Sequence, residues 1–112
     1  MARINFVELP VGDTASVKAF YETTFRWALT AFGPSYASTM TGDVDLGLQG
    51  DRLEATKAPL PVIEVNGLDA WTARIEAAGG RLVRPIFAFP GGRRFHFVDP
   101  AGNELAVMEA DH

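Results

Sequence analysis

Three polar residues that could act on a small molecule stand in runs that are otherwise apolar and β-branched. Glu8 lies near the start of the chain, and Arg94 and His96 alternate with apolar residues near its end. Because side chains two residues apart in a strand point to the same face, Arg94 and His96 are expected to share one face. A carboxylate that orients an imidazole raises its basicity, so Glu8 and His96 are the candidate catalytic pair, with general-base chemistry.

These polar residues also have structural interpretations. Glu8 could form an ion pair with Arg94 or His96, or it could lie exposed, and His96 could be a hydrogen-bonded structural group. The sequence has no Gly-x-Ser-x-Gly motif, and the pair Gly91-Gly92 opens no helix that could hold a phosphate. The chain has no cysteine, which excludes disulfides, thiolate catalysis and cysteine-ligated zinc.

The composition is that of one globular domain. The chain has 112 residues, of which 47% are hydrophobic and 21% charged, and its net charge is −4. This acidic balance argues against nucleic acid as a partner, because phosphate binding needs clustered lysine and arginine. No apolar run is long enough to span a membrane, and the first residues contain no secretion signal. We therefore expect a cytoplasmic protein that does not bind membranes.

The order of predicted elements repeats along the chain. Residues 3–11 read as a strand, Asp13 is a suitable helix N-cap, and 14–25 follow helical spacing. Three short strands are then predicted at 26–32, 35–40 and 43–49. After a polar linker at 51–59, the same order returns: a strand at 61–65, a helix from Leu68 to the glycines at 79–80, and strands at 81–88, 93–98 and 104–109. We interpret this order as a duplicated βαβββ unit.

Three segments carry a resemblance to a known family. They are Glu8-Leu-Pro-Val-Gly-Asp13 with the Phe20-Tyr21 helix and Trp27, Leu68-Asp-Ala with Ala77-Ala-Gly-Gly80, and Phe97-Val-Asp-Pro-Ala-Gly-Asn103. In this order and spacing the chain resembles the vicinal-oxygen-chelate superfamily, which includes glyoxalases, bleomycin-resistance proteins and extradiol dioxygenases.

The resemblance implies an α+β fold. Two tandem βαβββ modules, one at about 1–50 and one at about 60–112 with the linker between them, would form a single domain with a curled mixed sheet around a cavity. It also implies a homodimer. The family commonly has glycine before the tryptophan that follows the first helix, and this chain has Arg26. If that position needs a positive φ, arginine would cost roughly 1 kcal/mol relative to glycine.

The resemblance also implies where a metal would bind. Metal-dependent members place histidine, glutamate or glutamine at four positions, two in each module. The corresponding residues here carry no donor atom and are Phe6, Leu46, Leu60 and Ala106. A slip of one residue in a strand reverses its faces, but no such slip restores a full ligand set. We therefore expect no metal and no other cofactor.

The same faces predict an apolar pocket with a few polar anchors, which is the usual composition of a small-molecule site. Its predicted ligand-binding residues are Phe6, Glu8, Tyr36, Leu46, Leu48, Leu60, Arg94, His96, Ala106 and Met108.

Three functions remain open at this point. The first, favoured by the apolar residues at the metal positions, is a metal-free protein that binds an unidentified small molecule, as bleomycin-resistance proteins do. The second is a glyoxalase-like lyase or isomerase, or a dioxygenase, with a divalent metal at an unusual place or with Glu8–His96 acid–base chemistry. The third is a dimeric interaction protein without a ligand. Fold analogy alone does not choose among them.

Overall fold

The computed structural model describes residues 2–111. In chain order it contains β1 (Arg3–Pro10), α1 (Thr14–Phe25), β2 (Leu29–Ala31), β3 (Tyr36–Thr39) and β4 (Asp45–Gln49). There follow β5 (Leu60–Glu64), α2 (Leu68–Ala77), β6 (Arg81–Phe89), β7 (Gly92–Val98) and β8 (Glu104–Ala110). Within the described residues the chain therefore has two helices and eight strands in the order βαβββ-βαβββ, which confirms the predicted α+β class and its repeat.

The chain divides into two compact units. One is Phe6–Leu60, here called the first module; the other combines the described residues up to Asn5 with those from Pro61 onward, here called the second module. Strand β1 is thus divided, with its first three residues counted in the second module. There the Nε atom of Arg3 lies 3.9 Å from the Glu64 carboxylate. The side-chain nitrogen Nδ2 of Asn5 lies 3.9 Å from the sulfur of Met108.

Each module has the same strand pairing. In the first module β1 runs parallel to β4, β4 antiparallel to β3, and β3 antiparallel to β2. In the second module β5 runs parallel to β8, β8 antiparallel to β7, and β7 antiparallel to β6. In both, the helix follows the first strand and the remaining strands return in sequence, so the duplication inferred from the element order is also a duplication of pairing.

The helix of each module packs on one face of its own sheet. In the first module, Val17 and Tyr21 of α1 pack on a buried cluster that contains Leu29 and Leu48. In the second, Leu68 of α2 is fully buried with Phe95 and other apolar residues. Alternation along each strand leaves the opposite, helix-free face for the remaining side chains. Phe95 of β7 thus packs beneath the second helix.

The end of α1 explains why β2 is shorter than predicted. Arg26 caps the helix in the left-handed conformation, with φ 59° and ψ 29°, and its amide donates a hydrogen bond to the Glu22 carbonyl. The segment 26–28 is therefore a turn rather than strand. Asp13 occupies the N-cap position as predicted, but its side chain makes no capping hydrogen bond.

Across residues 2–111, neither helix has the length and apolar character required to cross a membrane.

Candidate functional site

Glu8 anchors the helix-free face of the first module. It lies in the middle of β1, directly opposite Gly47 of β4, and only 3% of its surface is exposed. The Tyr36 hydroxyl, from β3, donates a hydrogen bond of 2.9 Å to a Glu8 carboxylate oxygen. A buried carboxylate needs such donors because removal from water is costly. The structure thus brings together two of the predicted polar and aromatic site residues.

Gly47 allows this cluster to close. A Cβ atom at Gly47 would lie 2.5 Å from the tip of the Phe6 ring and 2.5 Å from the Tyr36 hydroxyl. Both side chains therefore lie directly over the glycine, and the absence of a side chain there is what lets Tyr36 reach Glu8. Gly47 was not among the predicted site residues, although a glycine inside an apolar strand indicates a close approach.

Leu46 and Leu48 do not share a face with Phe6 and Glu8, so the prediction that they line the same cavity is wrong. In the parallel β1–β4 pair, Phe6 lies opposite Asp45 and Glu8 opposite Gly47. The leucines point to the other side and belong to the apolar cluster beneath α1, where Leu48 is fully buried. The true register differs from the predicted one by a single residue, which reverses the face of every side chain on β4.

His96 is the central polar residue of the second module. It lies in β7, opposite Ala106 of β8, and 2% of its side chain is exposed. Its Nδ1 atom lies 2.7 Å from a carboxylate oxygen of Glu104. Its Nε2 atom is buried and has no hydrogen-bond partner among the described residues. Buried nitrogens are rarely left in this state, so Nε2 marks a position that a further donor or acceptor could occupy.

The partner of His96 differs from the one predicted. The candidate catalytic pair was Glu8 with His96, whereas the carboxylate on Nδ1 belongs to Glu104, a residue absent from the predicted site. A signal for it was present in the sequence, because Glu104 alternates with Ala106 and Met108 and so lies on the same strand face. Its distance from His96 depends on the β7–β8 pairing, in which Glu104 lies opposite Val98 and His96 opposite Ala106, so that Glu104 and His96 are diagonal neighbours on one face of the folded sheet.

Two arginines and an aromatic ring surround the imidazole. The Arg84 guanidinium carbon lies 3.7 Å from the centre of the Phe87 ring, and that of Arg94 lies 5.2 Å from it. The Phe87 ring is 5.9 Å from that of His96. Burial lowers the pKa of His96 below its ordinary value, and the charges of Arg94 and Arg84 lower it further, while Glu104 only partly opposes them.

This environment favours a neutral imidazole at neutral pH. When Nδ1–H donates its hydrogen bond to the Glu104 carboxylate, the neutral ring has a lone pair on Nε2. The arrangement can therefore accept a hydrogen bond from a ligand, or receive a proton from one.

The remaining predicted residues occupy different environments. Met108 lies opposite Arg94 in the β7–β8 pair, and Ala106 is fully buried beside His96. Leu60, the first residue of β5, is also fully buried. The structure therefore gathers Phe6, Glu8 and Tyr36 on the first module, and Arg94, His96, Ala106 and Met108 on the second.

The inherited metal positions do not fit a metal ion. Phe6 and Leu60 are equivalent positions of the two modules, so Glu8 and Val62, two residues later, are equivalent as well. Glu8 lies opposite Gly47 and Val62 lies opposite Ala106, so the residue equivalent to Ala106 is Gly47 and not Leu46. The four positions are then Phe6, Gly47, Leu60 and Ala106, none of which offers a donor atom. In the part of the chain from 2 to 111, no group of three or more histidine, aspartate or glutamate side chains is arranged to hold a metal.

Comparison with known proteins shows one family. The sequence model described as "Glyoxalase/Bleomycin resistance protein/Dioxygenase superfamily" matches residues 3–107. No curated protein sequence matches the chain.

Solved structures share the fold at low identity. A protein described as an NAD-dependent benzaldehyde dehydrogenase from Legionella pneumophila is 20% identical, with 96% of this chain and 99% of that chain covered and a TM-score of 0.77. Methylmalonyl-CoA epimerase from Mycobacterium tuberculosis is 17% identical, with 97% and 88% covered and a TM-score of 0.75. A Mn(II)-bound glyoxalase from Novosphingobium aromaticivorans is 23% identical, with 97% and 40% covered and a TM-score of 0.68.

Proposed function

The chain belongs to the Glyoxalase/Bleomycin resistance protein/Dioxygenase superfamily, and from this premise we propose that it is a metal-independent member that binds a small molecule. The observation that carries the proposal is the environment of His96. Its Nδ1 is held by Glu104 at 2.7 Å, and its buried Nε2 has no partner among the described residues. A polar atom buried without a partner costs about 1–3 kcal/mol, which a ligand donor would recover.

The chemistry of the inherited metal positions supports the same proposal. Phe6, Gly47, Leu60 and Ala106 offer no nitrogen or oxygen side-chain donor, and divalent metals of this family need such donors. Recognition would then depend on hydrogen bonds and apolar contacts, as in the bleomycin-resistance branch of the family.

A metal titration tests whether the protein is metal-independent. Purified protein is dialysed against chelator and titrated separately with Mn²⁺, Ni²⁺ and Zn²⁺ by isothermal calorimetry. We expect no stoichiometric binding. Binding of one ion per chain would overturn the metal-independent assignment, and its loss or retention in His96→Gln would show whether His96 is a ligand.

A matched pair of probes tests whether His96 forms a hydrogen bond with a small molecule. Phenol carries an O–H donor and anisole lacks it, while the two are otherwise alike. We expect millimolar phenol to shift the His96 Nε2 resonance in a long-range ¹H–¹⁵N NMR spectrum, and anisole to shift it much less. Equal shifts, or no shift with either probe, would remove His96 as the recognition residue. The variant Glu104→Gln keeps a hydrogen-bond acceptor near Nδ1 and controls for loss of ring orientation.

The enzyme alternative is supported by the same Glu104–His96 contact. A carboxylate that orients an imidazole with an open second nitrogen is an arrangement suited to a general base. Because methylmalonyl-CoA epimerases share this fold, methylmalonyl-CoA in D₂O is a direct test. Deuterium incorporation at the carbon between the two carbonyl groups, abolished by His96→Gln, would establish an enzyme; incorporation at the buffer rate supports a binding protein.

We also propose that the chain forms a homodimer, as the family resemblance implies. Light scattering after size-exclusion chromatography measures its mass directly. A mass near 24 kDa, twice the 12.1 kDa of the chain, would support the dimer, and a mass near 12 kDa at all concentrations would overturn it.

A further inference from the structure

The first module contains a concavity whose lining includes none of Glu8, Tyr36 and His96. Its volume is about 530 Å³, within the range of small-molecule sites. It lies where the turn after α1, the β3–β4 loop and the paired strands β1 and β4 meet. Its lining includes Trp27, Thr39, Met40, Val44, Asp45 and Leu46. Of the predicted site residues, this lining contains only Leu46, which packs beneath α1 rather than beside Glu8.

Trp27 forms a fixed aromatic wall of this concavity. Its ring stacks on Phe25 with centroids 5.0 Å apart, and on Tyr21 with centroids 5.8 Å apart and planes inclined by 8°. These contacts hold the indole in place, yet 42% of Trp27 is exposed. A rigid and partly exposed aromatic side chain can bind a flat or cationic group with little loss of side-chain entropy.

The rim of the concavity exposes further apolar surface. Met40 is 66% exposed and Val44 is 53% exposed, and both lie in or beside the loop that joins β3 to β4. Contiguous exposed apolar surface of this kind commonly marks a binding site. Met40 also has a polarisable sulfur that suits aromatic ligands.

Asp45 supplies the only charge in the lining. Its carboxylate accepts hydrogen bonds from the Thr39 hydroxyl at 2.7 Å, the Thr41 amide at 2.8 Å and the Gly42 amide at 3.0 Å. Burial alone would raise the pKa of Asp45, but these hydrogen bonds outweigh it and lower the pKa, so the group is ionised at neutral pH. The lining contains no lysine, arginine or histidine that would neutralise it.

We propose that this concavity binds a small organic cation with an aromatic body, the ring lying against Trp27 and the positive charge directed toward Asp45. The proposed ligand is a cation because of charge complementarity. A negative group and an electron-rich indole both favour a cation, and both disfavour an anion. The site lies wholly within the first module and shares no residue with the His96 site, so each proposal can fail without the other.

Three probes with the same ring and a similar side chain test the proposal: 2-phenylethylamine, which is cationic, 2-phenylethanol, which is neutral, and 3-phenylpropionate, which is anionic. The variant Trp71→Phe leaves Trp27 as the single tryptophan, so its fluorescence reports this site. We expect the amine to bind at least five-fold more tightly than the alcohol, and the carboxylate to bind most weakly. Equal affinities for all three probes, or no saturable change with the amine, would overturn the proposal.

The charge on Asp45 has its own test. In Asp45→Asn, made in the Trp71→Phe background, the affinity for the amine should fall to about that for the alcohol, whereas the affinity for the alcohol should stay constant. Asp43→Asn removes a neighbouring charge outside the lining and serves as the matched control, with little change expected.

Two further measurements test the site if Asp45→Asn does not fold. Raising NaCl from 20 to 500 mM should weaken binding of the amine and leave that of the alcohol unchanged, because exposed charges are screened by salt. A Trp27 emission spectrum that changes with protein concentration and is not altered by the amine would show that a second copy of the chain covers this surface, which would overturn the proposal.

Discussion

The two modules have the same strand pairing but different chemistry on their helix-free faces. In both, the first strand runs parallel to the last, and the remaining strands follow in antiparallel order. At equivalent positions the first module has Glu8 opposite Gly47, and the second has Val62 opposite Ala106. The buried carboxylate therefore belongs to the first module and the buried imidazole to the second. Backbone hydrogen bonding repeats because it does not depend on side-chain type, whereas the face that a ligand would contact is free to diverge.

The modules also differ in the length of their antiparallel strands. In the first, β2 and β3 have three and four residues, and in the second, β6 and β7 have nine and seven. The longer pair carries Arg84, Phe87, Arg94 and His96 side by side. The shorter pair borders the concavity beside Trp27, with Thr30 and Thr39 in its lining. The two modules therefore differ both in the length of these strands and in what lies beside them.

The largest expected effect is on the core of the second module. Phe95 is fully buried against Leu68, so Phe95→Ala should lower the free energy of unfolding by about 3–5 kcal/mol. Phe20, which is 57% exposed on α1, provides the matched control, and Phe20→Ala should cost much less. Urea denaturation followed by circular dichroism measures both. Similar losses for the two variants would contradict the assignment of the core.

Replacement of Gly47 by alanine, the residue type at the equivalent position 106, tests the divergence of the two faces. Gly47→Ala should destabilise the protein by about 1–3 kcal/mol, because its Cβ would meet Phe6 and Tyr36 at 2.5 Å. In a Tyr36→Phe background the cost should be smaller, since the crowded hydroxyl is absent, and a double-mutant cycle measures the difference. A strictly additive result would show that Tyr36 does not pack over Gly47.

The helix ends provide a smaller effect of opposite sign in the two modules. The turn after α1 places Arg26 at φ 59°, whereas the turn after α2 places Gly79 at φ 103°. Arg26→Gly should therefore stabilise the protein by about 1 kcal/mol, and Gly79→Ala should destabilise it by about as much. Arg26→Ala retains the Cβ atom and should gain little. Thermal denaturation ranks the three variants, and a gain for Arg26→Ala equal to that for Arg26→Gly would refute a backbone origin.

The smallest expected effect is the change in the free energy of unfolding that accompanies titration of His96. Burial lowers its pKa in the folded state, so the unfolded chain binds the proton more readily than the folded chain. The stability that His96 contributes is present above about pH 6.5 and is lost as the pH falls toward and through the lower folded pKa.

The pH dependence of unfolding checks this assignment. Between pH 7 and 5 the wild-type free energy of unfolding should decrease, with a slope of at most about 1.4 kcal/mol per pH unit from one proton. In His96→Gln the decrease should become shallower over that range. Asp45, whose pKa is also lowered, acts only at more acidic pH because the ordinary value for an aspartate is 3.8. An unchanged slope in His96→Gln would contradict burial of a neutral imidazole.

The order of the elements could be predicted from local patterns. Helical spacing in 14–25 and alternating apolar residues in 93–98 correspond to α1 and β7 with ends shifted by at most one residue. The chemical identity of Phe6, Leu60 and Ala106 likewise excluded donors at three inherited metal positions without knowledge of the structure. These features depend on residue type and on neighbours close in sequence.

The tertiary structure alone determined the partners across strands. Leu46 and Gly47 are adjacent, and only the pairing of β4 with β1 decides that Gly47 faces Tyr36 while Leu46 enters the core. The partnership of His96 with Glu104 is likewise set by the β7–β8 register. Because strand side chains alternate with a period of two, a shift of one residue reverses the face, and local sequence does not encode that shift. The sequence by itself therefore determined which residues are present, and hydrogen bonding between distant strands determined which of them meet.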